Sequence, residues 1–216
     1  MSLKGVIFDL DGVLVDTVPL HFKAWKKMFA EYGEDFSFDD YKHKVDGIPR
    51  NDGARAVLKH LGPKELETAA TRKQNYFLQF LGQEGVEVYQ STVDLAKKAK
   101  AENIKIAVIS SSRNCRHILE RASLTDLFEV IIGGNDIERG KPNPDVFLEA
   151  ARLMALSSDE CLVIEDAVLG VEAAHRAKMK CIGIDHYRHP ERLKKADLVV
   201  SDLGEVSIEK IKELFK

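Results

Sequence analysis

The sequence predicts an α/β protein: a doubly wound, mostly parallel sheet with an inserted α-helical domain. Three observations carry this. Short, unbroken apolar runs alternate with longer amphipathic stretches. A single segment, residues 17–89, interrupts the alternation with helical patterns and no convincing strand. Acids and hydroxyls follow directly on the apolar runs, and a lysine lies in the loop after one of them, where ligands bind in open parallel sheets.

The runs at 5–8, 105–110, 129–132, 161–164, 180–184 and 197–200 read as strands. Their continuous apolarity suits a sheet covered on both faces. Between them, 91–102, 113–122, 144–154 and 169–177 read as helices, with Asn143 or Pro144 starting the third. Alternation of this kind, with right-handed crossovers, gives a parallel sheet. Within the interrupting segment, 54–61 and 65–80 read as helices, and Gly33, Gly47, Gly53 and Gly62 punctuate the stretch. The expected domains are residues 1–16 with 90–216 as the α/β core and 17–89 as the helical insert.

Composition narrows the class. The chain has 216 residues, 44% hydrophobic and 31% charged, which allows a real core and argues against disorder. A net charge of −3 gives no broad basic field, so nucleic acid is not the expected partner. The apolar runs are too short for a transmembrane helix, and the strand-like run entered by Val6 leaves no room for a signal peptide. Cys115, Cys161 and Cys181 are odd in number and form no CxxC pair, which speaks against a disulfide framework or a zinc site. Cys161 and Cys181 lie in apolar runs and read as core, and the expected location is cytoplasmic.

Four strand ends carry chemistry. Asp9-Leu10-Asp11-Gly12 follows the first strand, and Ser110-Ser111-Ser112-Arg113-Asn114 the second. Lys141 lies in the loop after the third, and Glu165-Asp166 follows the fourth. Carboxylates held close repel one another unless a cation is present. Oxygen donors without Cys or His select a hard ion, Mg²⁺ foremost. A carboxylate can attack phosphorus, and a second carboxyl two residues on can protonate the leaving oxygen. Gly12 permits the tight turn this needs. Serines and N–H groups opening a helix can hold phosphate oxygens, and Lys141 can balance the charge. Each element alone has a plainer reading: Asp9 and Asp11 as turn residues, the serines as an N-cap cluster, Lys141 as a surface cation, Glu165 and Asp166 as helix caps. Their coincidence at four ends of one sheet favours a site.

These residues resemble the motifs of the haloacid dehalogenase superfamily. The likeness lies in Phe8-Asp9-Leu10-Asp11-Gly12-Val13-Leu14 with Asp16-Thr17, in Ser110, in Gly140-Lys141-Pro142, and in Glu165-Asp166 with Gly170. It covers nearly the whole chain in order, and the second acid of the first motif fits the phosphate-handling members. Within the superfamily the chain is similar to the β-phosphoglucomutase branch and its sugar-phosphatase relatives. The resemblance implies a Rossmann-like core with a helical cap. It implies Asp9 as the nucleophile that becomes an aspartyl phosphate, and Asp11 as general acid and base. It implies Mg²⁺ on Asp9, the Asp11 backbone carbonyl, Glu165 and Asp166, with Ser110 and Lys141 holding the transferring phosphate.

Further residues match substrate contacts of that branch: Thr17, His21, Trp25 and Lys73 in the insert, Gly47, Ile48 and Arg50 in its 44–50 loop, and Ser111, Ser112 and Asn114 in the core. Arg50, Ser112 and Asn114 would grip a second phosphate, the mark of a mutase. Plainer readings stay open. Trp25 shares helical spacing with Met28, Phe29 and Tyr32 and could be core. His21, Arg50 and Lys73 could be packing or solvated residues. Pro49 and Gly53 stand where the mutases carry small hydroxyl residues, and Ala167 replaces a common hydroxyl after the acidic pair. The implied partner is a small phosphorylated sugar, the implied state a monomer, with no nucleic acid and no membrane. The expected reaction interconverts β-glucose 1-phosphate and glucose 6-phosphate. Hydrolysis of a small sugar phosphate is the alternative, and a phospho-accepting signalling domain a remote one. A P-loop reading is weak: Gly134 to Gly140-Lys141 has one residue too many, and Pro142 stands where Ser or Thr is required.

Overall fold

The structure is a computed structural model that describes residues 2–46 and 48–216. The chain divides into two compact units: one formed by the residues up to Asp16 with Glu87–Lys216, the other by Thr17–Val86.

The larger unit is built on a six-stranded parallel sheet. Its strands are β1 (Gly5–Asp9), β4 (Lys105–Ile109), β5 (Val130–Ile132), β6 (Cys161–Glu165), β7 (Lys180–Ile184) and β8 (Leu198–Val200), in the order β5-β4-β1-β6-β7-β8. β1 lies between β4 and β6, with Phe8 opposite Val108 on one side and Ile164 on the other. The chain adds β4 and β5 to one side of β1, then crosses back to add β6, β7 and β8 to the other. That reversal puts the switch of strand order at β1, so the crevice outside its carboxyl end is where ligands bind in such sheets. All five β1 residues are buried. Helices α5 (Gln90–Ala101), α6 (Cys115–Arg121), α7 (Asp145–Leu153) and α8 (Val168–Arg176) link the strands. In α7, Pro144 takes the N-cap position and Asp145 the first turn, which suits the positive helix end, while Val146, Phe147, Ala150 and Ala151 form the buried stripe. These four pack with Ile7, Ile109, Val163, Cys161 and Cys181 into one apolar cluster.

Two features of this unit escape the sequence reading. Val15–Asp16 (β2) and Glu87–Val88 (β3) pair antiparallel as a second, two-stranded sheet. A strand therefore does occur within 17–89; at two residues it is too short to show alternation. A final helix α9 (Ile208–Glu213) starts where the Ser207 hydroxyl accepts the Lys210 N–H.

The smaller unit is helical: α1 (Val18–Ala30), a single turn α2 (Phe38–Asp40), a π-helical turn at Tyr41–Val45, α3 (Arg50–Val57) and α4 (Pro63–Glu84). Prolines open α1 and α4 in their first turns, where a missing N–H costs nothing. Trp25, Met28, Phe29, Phe36, Leu58 and Ala69 form its core. The helix expected at 54–61 is displaced: Pro49 caps it, and it runs from Arg50 to Val57. Gly53 accordingly punctuates nothing and lies inside α3. A Cβ there would come 2.8 Å from Cζ2 of Trp25, so glycine permits the helix to pack on the indole. Gly47 lies outside the described residues. Among those described, no helix is long and apolar enough to cross a membrane.

Candidate active site

β1 delivers Asp9 at its last position, and the chain then turns back sharply. Leu14 and Val15 N–H groups both donate to the Leu10 carbonyl, and the Gly12 N–H donates to Val15 O at 2.8 Å. Gly12 takes φ +78°, a left-handed conformation that favours glycine. A Cβ on Gly12 would also overlap the Asp166 carboxylate, which places that acid against the turn.

Pairing of Asp9 with Ile109 puts the residue after β4 beside this turn. Ser110 Oγ donates to Asp11 Oδ2 at 3.0 Å and accepts the Ser112 N–H at 2.9 Å. Ser112 Oγ in turn accepts the Asn114 N–H at 3.1 Å, and Asn114 stands at the N-cap of α6. Ser111 is exposed, and its carbonyl crowds Gly134, where no Cβ could fit.

Lys141, with its side chain 11% exposed, pairs with both Asp9 Oδ1 and Glu165 Oε1 and precedes a cis bond to Pro142. Glu165 ends β6 fully buried, its Oε2 accepting the Ala167 N–H at 2.7 Å. Gly170 lies so close to Glu165 that a Cβ would overlap the carboxylate. Four strand ends therefore bring Asp9, Asp11, Ser110, Ser112, Lys141, Glu165 and Asp166 to one edge of the sheet.

Burial sets the electrostatics. It pushes Asp9 up to about 8, with Glu165 and Asp11 adding to the rise and Lys141 opposing it. Asp166 is raised well above the usual carboxylate range, again by burial first and then by Glu165 and Asp9. Burial works against the Lys141 charge, yet Asp9 and Glu165 together hold its pKa above that of an ordinary lysine. The site is thus a crowd of oxygen donors short of positive charge, and such a donor set fits a hard divalent ion. Glu165 is engaged by Lys141 and by a backbone N–H, and among the described residues no three His, Cys, Asp or Glu side chains form a ready-made ligand cluster.

The helical unit gathers another set. Lys73, 4% exposed, lies 2.8 Å from His21 Nδ1, with its ammonium 5.0 Å from the Trp25 ring centre and 5.4 Å from that of Phe77. An ammonium only donates, so His21 accepts at Nδ1 and is neutral. Burial, then Lys73, holds its pKa well below the ordinary value. Its ring stacks on Phe77 with centroids 4.3 Å apart. Trp25 is 3% exposed and stacks on Phe29. Thr17 is buried at the N-cap of α1, Ile48 is exposed, and Arg50 is half-buried at the first position of α3.

Sequence reasoning missed His186. Its Nε2 lies 2.6 Å from the Gly12 carbonyl, and its ring stacks on Tyr89. The strand-end rule would have found it, because His186 stands just past the end of β7, a fifth strand end left unread.

The arrangement defines a doubly wound α/β protein whose acidic centre sits at the switch of strand order. The family model of the haloacid dehalogenase-like hydrolases matches residues 6–184, and the chain belongs to that family. It is 33% identical to β-phosphoglucomutase of Bacillus subtilis (strain 168), over 98% of this chain and 95% of that one. It is 31% identical to a phosphorylated carbohydrates phosphatase of Thermotoga maritima, over 85% of this chain and 86% of that one. A crystal structure of β-phosphoglucomutase from Clostridium difficile superposes with a TM-score of 0.85 at 29% identity, covering 99% of this chain and 97% of that one.

Proposed function

We propose that this chain transfers phosphoryl groups through Asp9 and works as a β-phosphoglucomutase, interconverting β-glucose 1-phosphate and glucose 6-phosphate by way of a bisphosphate. The observation that carries this reading is the Lys141 ammonium shared by Asp9 and Glu165, beside an Asp11 carboxyl oriented by Ser110. An Asp9 oxygen attacks phosphorus, the bond from phosphorus to the sugar oxygen breaks, and Asp11 gives that oxygen a proton. In the return step Asp11 takes the proton of an incoming hydroxyl as it attacks the aspartyl phosphate. Lys141 offsets negative charge on Asp9 and on the phosphoryl oxygens, and the hydroxyls and N–H groups of 110–114 donate hydrogen bonds to the same oxygens. Mg²⁺, held by Asp9, the Asp11 carbonyl, Glu165 and Asp166, would neutralise the phosphoryl oxygens. Arg50, Ser112 and Asn114 are the proposed grips for the sugar's other phosphate. Thr17, His21, Lys73 and the exposed Ile48 and Ser111 complete the proposed substrate contacts.

The second reading is hydrolysis of a small sugar phosphate by the same nucleophile. Pro49 and Gly53 favour it, since neither offers a side-chain donor on α3 and Pro49 lacks an N–H as well. One assay separates the two. With β-glucose 1-phosphate, Mg²⁺ and a trace of bisphosphate, glucose 6-phosphate should form without stoichiometric phosphate release. Phosphate without the isomer would turn the assignment to the phosphatase. Neither product from a panel of sugar phosphates would overturn both.

A further inference from the structure

Gly12 is held from two directions. Its N–H donates to Val15 O at 2.8 Å, and its carbonyl faces His186 Nε2 at 2.6 Å. A carbonyl only accepts, so Nε2 carries a proton and donates. The donor reaches across from the loop after β7, which is separated from β1 in the sheet by β6. The imidazole is itself braced. Its ring stacks on Tyr89 with centroids 5.2 Å apart and planes 18° from parallel, and the Tyr89 N–H donates to Leu14 O at 2.9 Å. Tyr89 and His186 thus grip the 10–15 turn at two of its carbonyls, Leu14 and Gly12.

We infer that His186 is a positioning residue: it fixes the Gly12 peptide and, through it, the direction of the Asp11 backbone and side chain. Gly12 needs this more than another residue would. With no Cβ and φ at +78°, its backbone has wide freedom, and a swing about φ or ψ would carry the Asp11–Gly12 peptide away from Asp9. Hydrogen bonds on both sides of one glycine remove that freedom. The His186 bond is to a backbone carbonyl, so its effect on Asp11 passes through the Gly12 peptide. The inference rests on the phosphoryl-transfer reading for its effect on rate, but not for its effect on the turn.

Two substitutions test it in the full-length chain. His186→Phe keeps a ring to stack on Tyr89 and removes the donor. His186→Gln keeps an N–H at nearly the same reach. In the Phe variant, hydrogen exchange of the amides of 10–15 should accelerate at least about tenfold, with peptides from α7 and from β8 unchanged. Turnover of p-nitrophenyl phosphate should fall about tenfold, with KM within about twofold, because the acid is misplaced rather than the substrate lost. The Gln variant should recover both to within about threefold. Unchanged exchange in the Phe variant, or a Gln variant as impaired as Phe, overturns the inference. A wild-type chain that turns over no phosphate ester overturns the phosphoryl-transfer reading instead, while the exchange comparison still decides the role of His186 in the turn.

Discussion

Ser110 and Asp11 are 99 positions apart in the chain and 3.0 Å apart in space, the serine Oγ donating to Oδ2 of the aspartate. The same hydroxyl accepts the Ser112 N–H, so one atom ties the acid of the first motif to the loop that opens α6. Ser110→Ala leaves both partners without it. Turnover of a small phosphate ester should fall by up to about a hundredfold, and unfolding free energy by about 1–2 kcal/mol. Steady-state kinetics and urea unfolding measure the two. Unaltered turnover would place proton handling on another residue.

Asp9 gives the folded chain a distinctive response to pH. Its carboxyl is raised from 3.8 to about 8, mainly by burial. A group that binds its proton more tightly when folded contributes stability that is fully present below 3.8 and is lost as pH rises through 8. Asp9→Asn removes this dependence, because the amide is neutral throughout. In chelator, the advantage of the Asn variant over the parent in thermal unfolding should therefore grow between pH 5 and 8 and level off above, with a slope of at most about 1.4 kcal/mol per pH unit. Mg²⁺ should reduce the advantage. The variant should also turn over no phosphate ester.

Lys141 makes the opposite case. Its ammonium is the described counter-charge of both Asp9 and Glu165. Lys141→Met leaves two buried carboxyls facing each other without it, a change of the kind that costs about 3–5 kcal/mol. The loss should be largest at pH 8 and smaller at pH 5, where Asp9 is protonated. Chemical denaturation at the two pH values checks this. Equal losses at both would mean that the pairing with Asp9 contributes little.

In the helical unit, Gly53→Ala sets helix propensity against packing. Alanine is favoured by about 1 kcal/mol in a helix interior. Yet its Cβ would lie 2.8 and 2.9 Å from two atoms of the Trp25 ring, which is itself stacked on Phe29 and has little room to yield. Overpacking of this kind costs about 1–3 kcal/mol. The variant should be less stable than the parent despite the better helix former, and thermal unfolding decides the sign.

The sheet was legible because its strands are buried on both faces and so appear as unbroken apolar runs; all six occur within a residue or two of the expected bounds. The strand-end rule then pointed to the acids, serines and lysine that the fold brings together. What stayed hidden lacks a local signal. β2 and β3 hold two residues each, too few for a period. α3 begins at Arg50 because Pro49 caps it, whereas the glycine inside it reads as a break; its reason is Trp25, distant in sequence. The Lys73–His21 contact joins helices α1 and α4 across 52 positions, and no pattern within either helix announces it.

The pairing of Asp16 with Glu87 has a consequence beyond the few hydrogen bonds it forms. It pins the departure and the return of the long excursion at neighbouring points, about 5 Å apart as in any strand pair. Whatever the polypeptide builds in between meets the same two anchor points, and the register of the six parallel strands is indifferent to its length or shape. A scaffold organised this way can exchange one excursion for another and keep its acidic centre, so selectivity can diversify while the chemistry stays where β1 put it.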